Sequence, residues 1–293
     1  ERLPASSAAL VNAFQVHALE YDCVHEGAVV HAMATALPAL LAFAERASAA
    51  GRPVSGEAFL AALAVGVDVA TTLGLSAEGP MNFFRPATCG GFGASAALCS
   101  AAGADAGVVR DAFGILYGAT SGTMQPHLEG SPVLALQMGY NARAAVQAVD
   151  LALAGFTGPR DVLTGRYGFF RLFENDACDL AWPFECLGRR WRIAELSHKP
   201  IPAGRLTHGV VDALHRLVED EHVQPADIEH VRALVPPLVH RLVGRPDVPE
   251  PDAAYARLCL PFVAGVFLAR GRVDVPDFAD AATLADPAVH AFA

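Results

Sequence analysis

Residues 6–19 carry apolar positions in a helical pattern, with Ser6 or Ser7 placed to cap it. The pattern breaks across Glu20-Tyr21-Asp22-Cys23-Val24-His25-Glu26-Gly27 and resumes from about His31 to Ala50, stopping at Gly51. Ser55 predicts the cap of a third helix that ends near Leu75. Residues 76–87, with Gly79, Pro80 and Pro86, read as a loop. The small residues Cys89–Ala102 read as a helix, and Asp105 caps the next one, to about Thr120. Residues 121–138 read as a long loop and 141–154 as a further helix. The character changes near residue 188. Arg190–His198 alternates like a strand, 205–219 reads as a helix, and 229–236 reads as a second strand after Pro225-Ala226-Asp227. Residues 252–269 read as helical despite Pro261. The pattern therefore predicts a mainly α-helical (all-α) domain over residues 1–188 and a smaller α+β domain over 189–293.

Composition narrows the classes of function. Of the 293 residues, 53% are hydrophobic and 18% charged, a core-rich balance that excludes a disordered chain. Much of the apolar content is alanine, which suits closely packed helices. The apolar stretches 31–44 and 58–70 read as too short or too broken for the ~20 residues a bilayer span needs, so no membrane partner is expected. A formal net charge of −10 argues against nucleic acid, whose phosphates demand a basic face, but leaves room for a locally basic pocket and a small anionic substrate. Lys199 is the single lysine. The six cysteines form no C-x-x-C pair and read as reduced thiols of a cytoplasmic protein. No signal peptide is visible, and a chain that opens on Glu1-Arg2 reads as a processed or truncated start.

Four segments could carry chemistry. The first runs from His17 through Glu20, Asp22, His25 and Glu26 to His31; carboxylates and imidazoles between two helices are raw material for general acid–base work. Its plainer reading is helix capping and a solvated loop. A metal at His25, Glu26 and His31 is a rival without the H-E-x-x-H spacing. The second is Phe84-Arg85-Pro86-Ala87-Thr88-Cys89-Gly90-Gly91-Phe92-Gly93, where glycines opening a helix could bind an anion or simply permit close helix contact. Arg85, whose planar fork matches a carboxylate, would suit a substrate. The third, Ser121–Ser131, offers His127 and Glu129 or an ordinary surface loop. The fourth, Ser197–His208, places Lys199, Arg205 and His208 at a strand-to-helix junction where they could face an anion or only solvent.

These segments, in order and spacing, resemble the MmgE/PrpD family. The resemblance rests on Asn12 to Asp22 with His31; on Arg85-Pro86-Ala87-Thr88-Cys89-Gly90-Gly91-Phe92-Gly93; and on Ser121-Gly122-Thr123-Met124 with Glu129-Gly130-Ser131. It continues through Gly155-Phe156-Thr157-Gly158-Pro159 with Gly165–Phe169, Lys199-Pro200-Ile201-Pro202 with Thr207-His208, and Leu260-Pro261-Phe262 with Gly271-Arg272-Val273. It implies a helical domain followed by a lid-type α+β domain, a homodimer, no metal and no organic cofactor. It implies a small polycarboxylate as substrate, since known members dehydrate 2-methylcitrate, decarboxylate cis-aconitate or epimerise iminodisuccinate. Members are longer at both ends, so this chain reads as a fragment or a trimmed member.

Carried over position by position, the resemblance makes Glu20, Asp22, His31 and Lys199 catalytic and gives Arg85, His127, Arg205 and His208 to substrate binding. Leu134 stands where many members have a catalytic lysine, Gln137 where histidine is frequent, and Gly204 where decarboxylases have another histidine. Those departures speak against cis-aconitate decarboxylation. The expected activity is a dehydratase-type, carbon–oxygen lyase that removes a proton beside a carboxylate, with Asp22 or His127 protonating the leaving hydroxyl. An isomerase or epimerase, and a catalytically decayed member acting by binding, are the alternatives.

Overall fold

The computed structural model describes residues 3–293. Two of its longer helices begin where a side chain, Ser55 or Asp105, satisfies the first backbone N–H groups. Along the chain the helices are α1 (Ala5–Ala18), α2 (Ala32–Ala49), α3 (Gly56–Ser76), α4 (Arg85–Ala102), α5 (Ala106–Tyr117), α6 (Gln125–Glu129) and α7 (Val133–Leu153). There follow α8 (Phe169–Phe173), α9 (Ala181–Glu185), α10 (His208–Glu219), α11 (Pro237–Val243), α12 (Ala253–Ala256) and α13 (Leu260–Arg270), then two short C-terminal helices. The Ser55 hydroxyl accepts from Ala58 N at 3.2 Å, and the Asp105 carboxylate accepts from Gly107 N and Val108 N at 2.8 and 3.0 Å. Gly103, in the left-handed region at φ 65°, ends α4.

Several boundaries depart from the sequence expectation. α4 starts at Arg85, because Pro86 sits in the first turn where a missing N–H does no harm. The stretch 121–138 is not one long loop: it holds α6 and the first turns of α7. Both expected strands are absent among the described residues. Residues 192–195 form a 3-10 turn, and only Ser197 pairs in the β manner, with Val24. Residues 229–236 have no regular structure, and Leu234 is 91% exposed. An alternating sequence becomes a strand only beside another strand that takes its N–H and C=O groups, and none lies there. The fold is thus mainly α-helical, without the expected β component.

The chain divides into two units. The first comprises residues 1–17, 22–124 and 133–198; the second comprises 18–21, 125–132 and 199–293. In the first unit α4 is the central helix, packed against α2, α3 and α7, with every residue from Arg85 to Cys99 buried. Small side chains make this possible. A Cβ on Gly90 would stand 2.6 Å from Thr35 Oγ1, and one on Gly66 of α3 would stand 2.7 Å from the Gly93 carbonyl. The glycine cluster therefore serves close helix contact inside α4 and does not open the helix as an anion cradle. α3 is long and apolar enough to cross a membrane by length, contrary to the reading of 58–70 as too short. Here it is a core helix whose Asp68 carboxylate accepts from Gly188 N and Arg192 N.

In the second unit α13 carries Phe262, Val263, Val266 and Phe267 into a core with Val211 and Leu214 of α10, Ala256 and Phe278. Pro261 falls in the first turn of α13, so it starts that helix and does not break it.

Candidate functional site

In the first unit, the last turn of α1 and the residue before α2 converge on Asp22. His17 Nδ1 lies 2.8 Å from Asp22 Oδ2, and His31 Nδ1 stands 3.0 Å from the same oxygen, off the line of a hydrogen bond. The two rings meet edge to face, with centroids 4.9 Å apart, and Phe84 packs on His17 at 5.7 Å. The side chains of His17 and Asp22 are each 2% exposed, that of His31 13%. A tight turn places His31: His25 N donates to Val30 O at 3.0 Å, with Val29 in the left-handed region at φ 53°. His25 itself is engaged, with Nε2 3.1 Å from Glu195 and Nδ1 accepting from Ala28 N. Burial raises the Asp22 pKa, but the charges of His31 and His17, with the His17 hydrogen bond, outweigh it and hold the group well below the carboxylate range. His17, Asp22 and His31 each offer one ligand atom, all within 4.8 Å of one another. A cation could therefore sit at this trio, and not at His25, Glu26 and His31.

The second unit gathers another set. Lys199 Nζ donates to the Glu20 carboxylate at 2.8 Å and to the Glu20 carbonyl at 3.0 Å. This double grip holds Glu20 at φ 50°, a conformation that non-glycine residues seldom adopt. His208 opens α10; its Nε2 faces the Ala203 carbonyl at 3.2 Å, so that nitrogen carries the proton and Nδ1 is a buried acceptor. Burial pushes the His208 pKa down to about 4, with Arg205 and Lys199 adding to the fall. Arg245 donates to the His127 carbonyl at 2.8 Å, and Arg257 donates to the Ala18 carbonyl at 3.5 Å. Sequence reasoning passed over both arginines because neither lies in a segment with an evident motif.

Two family models match the chain, one after the other. The MmgE/PrpD N-terminal domain matches residues 1–179, and the MmgE/PrpD C-terminal domain matches residues 201–293. This chain belongs to the MmgE/PrpD family. It is 30% identical over 228 residues to a cis-aconitate decarboxylase-like protein, oryM, of Aspergillus oryzae, covering 74% of this chain and 47% of that one. It is 27% identical over 234 residues to the cis-aconitate decarboxylase of Homo sapiens (77% and 48%) and 26% identical over 244 residues to that of Aspergillus terreus (79% and 50%). The chain spans about half the length of the curated relatives it matches.

Within this MmgE/PrpD chain the remaining expected residues are placed as follows. Arg85 forms a buried ion pair with Glu174: Nη2 to Oε2 is 2.8 Å and Nε to Oε1 3.4 Å, and Nη2 also donates to Gly79 O. The carboxylate it meets in this structure is the protein's own. Leu134 is buried in α7. Gln137 clasps the backbone of Thr123 through both ends of its amide, at 2.7 and 3.1 Å. A Cβ on Gly204 would stand 2.8 Å from Leu258. His17 was read only as the start of an acidic segment. The five-residue step to Asp22 across a helix end was the signal for it.

Proposed function

We propose that this MmgE/PrpD chain is a lyase for a small polycarboxylate, dehydratase in type, in which His31 takes the proton beside a substrate carboxylate. The supporting observation is the buried Asp22 carboxylate shared by two imidazoles. A carboxylate accepts hydrogen bonds only, so an imidazole facing it through Nδ1 has Nε2 for a substrate proton. His31 is the more exposed of the two rings and so the one a small molecule can reach. Because Asp22 stays anionic, it stabilises the imidazolium formed when His31 takes the proton. The C–H electron pair becomes the new C=C bond, the C–O bond breaks, and the hydroxyl leaves as water with a proton from a general acid. In the second unit, the Glu20 carboxylate and carbonyl fix the Lys199 ammonium in place. The relatives named above are decarboxylases, and cis-aconitate accordingly belongs among the acids to be tried.

Proton NMR in D₂O with citrate, 2-methylcitrate and cis-aconitate tests the reading. Loss of water from one of the acids is expected, and His31→Ala and Asp22→Asn should each lower turnover by roughly 10²–10⁴-fold. Release of CO₂ would make the enzyme a decarboxylase; deuterium uptake without net loss would make it an isomerase. Turnover indifferent to His31→Ala would refute the assignment. Dialysis against EDTA should leave turnover intact, whereas a loss restored by Zn²⁺ would seat a cation at His17, Asp22 and His31 instead.

A further inference from the structure

The second unit holds positive charge that the described residues do not neutralise. Arg257 is 6% exposed and Arg245 is half-buried, yet no carboxylate of the described residues lies within ion-pair distance of either guanidinium. Both feel the charge of Glu20, but that carboxylate is already gripped by Lys199 at 2.8 Å. Asp247, the acidic residue close to Tyr255 and Cys259, is engaged with His290 at 2.6 Å. Each arginine also has a buried donor with no acceptor: Nε of Arg257 and Nη1 of Arg245. Their remaining contacts fix the guanidinium planes without satisfying them. Arg257 lies 4.9 Å over the Phe278 ring and Arg245 4.8 Å over the Tyr255 ring. A buried charge without a partner costs several kcal/mol, a burden kept only where something else neutralises it.

We propose that Arg257, seconded by Arg245, binds a carboxylate group of the polycarboxylate ligand in the second unit. The proposal rests on the polycarboxylate reading above and adds the residues that recognise the anion. The orphan donors are of the kind a carboxylate satisfies, and a guanidinium donor holds a carboxylate more strongly than a neutral group would. His208 contributes differently: its buried Nδ1 is an acceptor with no donor, suited to a hydroxyl or a protonated carboxyl group of the same ligand.

The test is calorimetric titration of the 293-residue chain with tricarballylate, which has three carboxylates and neither hydroxyl nor double bond to react. Arg257→Met is expected to bind at least tenfold more weakly, Arg257→Lys to recover part of the loss, and Arg110→Met, at an exposed arginine of α5, to bind like wild type. The ligand-free melting temperature of Arg257→Met should be unchanged or raised, because the substitution removes an uncompensated buried charge. A lowered ligand-free melting temperature would instead assign Arg257 a structural role and overturn the proposal. Wild-type binding that Arg257→Met leaves untouched would overturn it alone. Absence of tricarballylate binding in the wild type would strike at the polycarboxylate reading itself.

Discussion

Arg85 and Glu174 stand 89 residues apart and meet in the first unit with side chains 5% and 2% exposed. Their two-pronged contact is close at Nη2–Oε2 and looser at Nε–Oε1. Breaking a buried pair by removing one partner strands the other charge, which typically costs 3–5 kcal/mol. Glu174→Gln keeps the shape and removes the charge, so a loss of about 3 kcal/mol is expected. For a unit of this size that corresponds to a fall in melting temperature of roughly 6–12 °C. Arg85→Met combined with Glu174→Leu removes both charges and should recover most of the loss. Thermal unfolding followed by circular dichroism reads the stability, and the D₂O assay reads turnover on the same samples. Two results would refute the reasoning. Glu174→Gln could unfold within about 1 kcal/mol of wild type, so that the pair is not what holds Arg85. Alternatively the double variant could fold normally and lose turnover, so that the guanidinium acts on substrate as its sequence position suggested.

Two further outcomes follow from packing and titration. Gly93→Ala should destabilise the chain by about 1–3 kcal/mol, because the new Cβ meets the Gly66 carbonyl and stands 2.7 Å from Ala70 Cβ; Gly56→Ala, with open space around it, serves as a near-neutral control in the same melt. His208 is held neutral in the fold at a pKa of about 4, against 6.5 in the unfolded chain. Between those values the unfolded chain takes up a proton that the fold refuses, so stability falls as pH drops from about 6.5 toward 4 and levels off below. The loss attributable to this group is at most about 3 kcal/mol. His208→Gln should flatten that part of a denaturant-midpoint-against-pH curve, and an unchanged curve would remove His208 as the cause.

The helices were legible wherever a local signal marks an end: Ser55 and Asp105 cap as their side chains dictate, and Gly51 and Gly103 close α2 and α4. Signals that also describe turns misled. Pro86 and Pro261 start helices, and the glycines and prolines of 121–132 surround a short helix that the pattern absorbed into a loop. The strands failed for a different reason, since alternation is a property of one segment whereas a strand is a property of two. The site divides the same way. His31 and Asp22 were readable as chemistry-bearing residues nine positions apart. The partners that define Arg85, Lys199 and Arg257 lie 89, 179 and 239 residues away, where no local pattern reaches.

From Arg85 to Cys99, α4 has no outer face. Phe92 and Leu98 are its only bulky apolar side chains after Pro86, and three glycines weaken its intrinsic helicity. Such a segment gains its order from α2, α3 and α7 and not from its own sequence. We expect α4 to order late, so that substitutions within it chiefly speed unfolding and leave the folding rate little changed. On that expectation the helix at the centre of the first unit is a late one, and Arg85, at its first turn, should meet Glu174 only as its neighbours close.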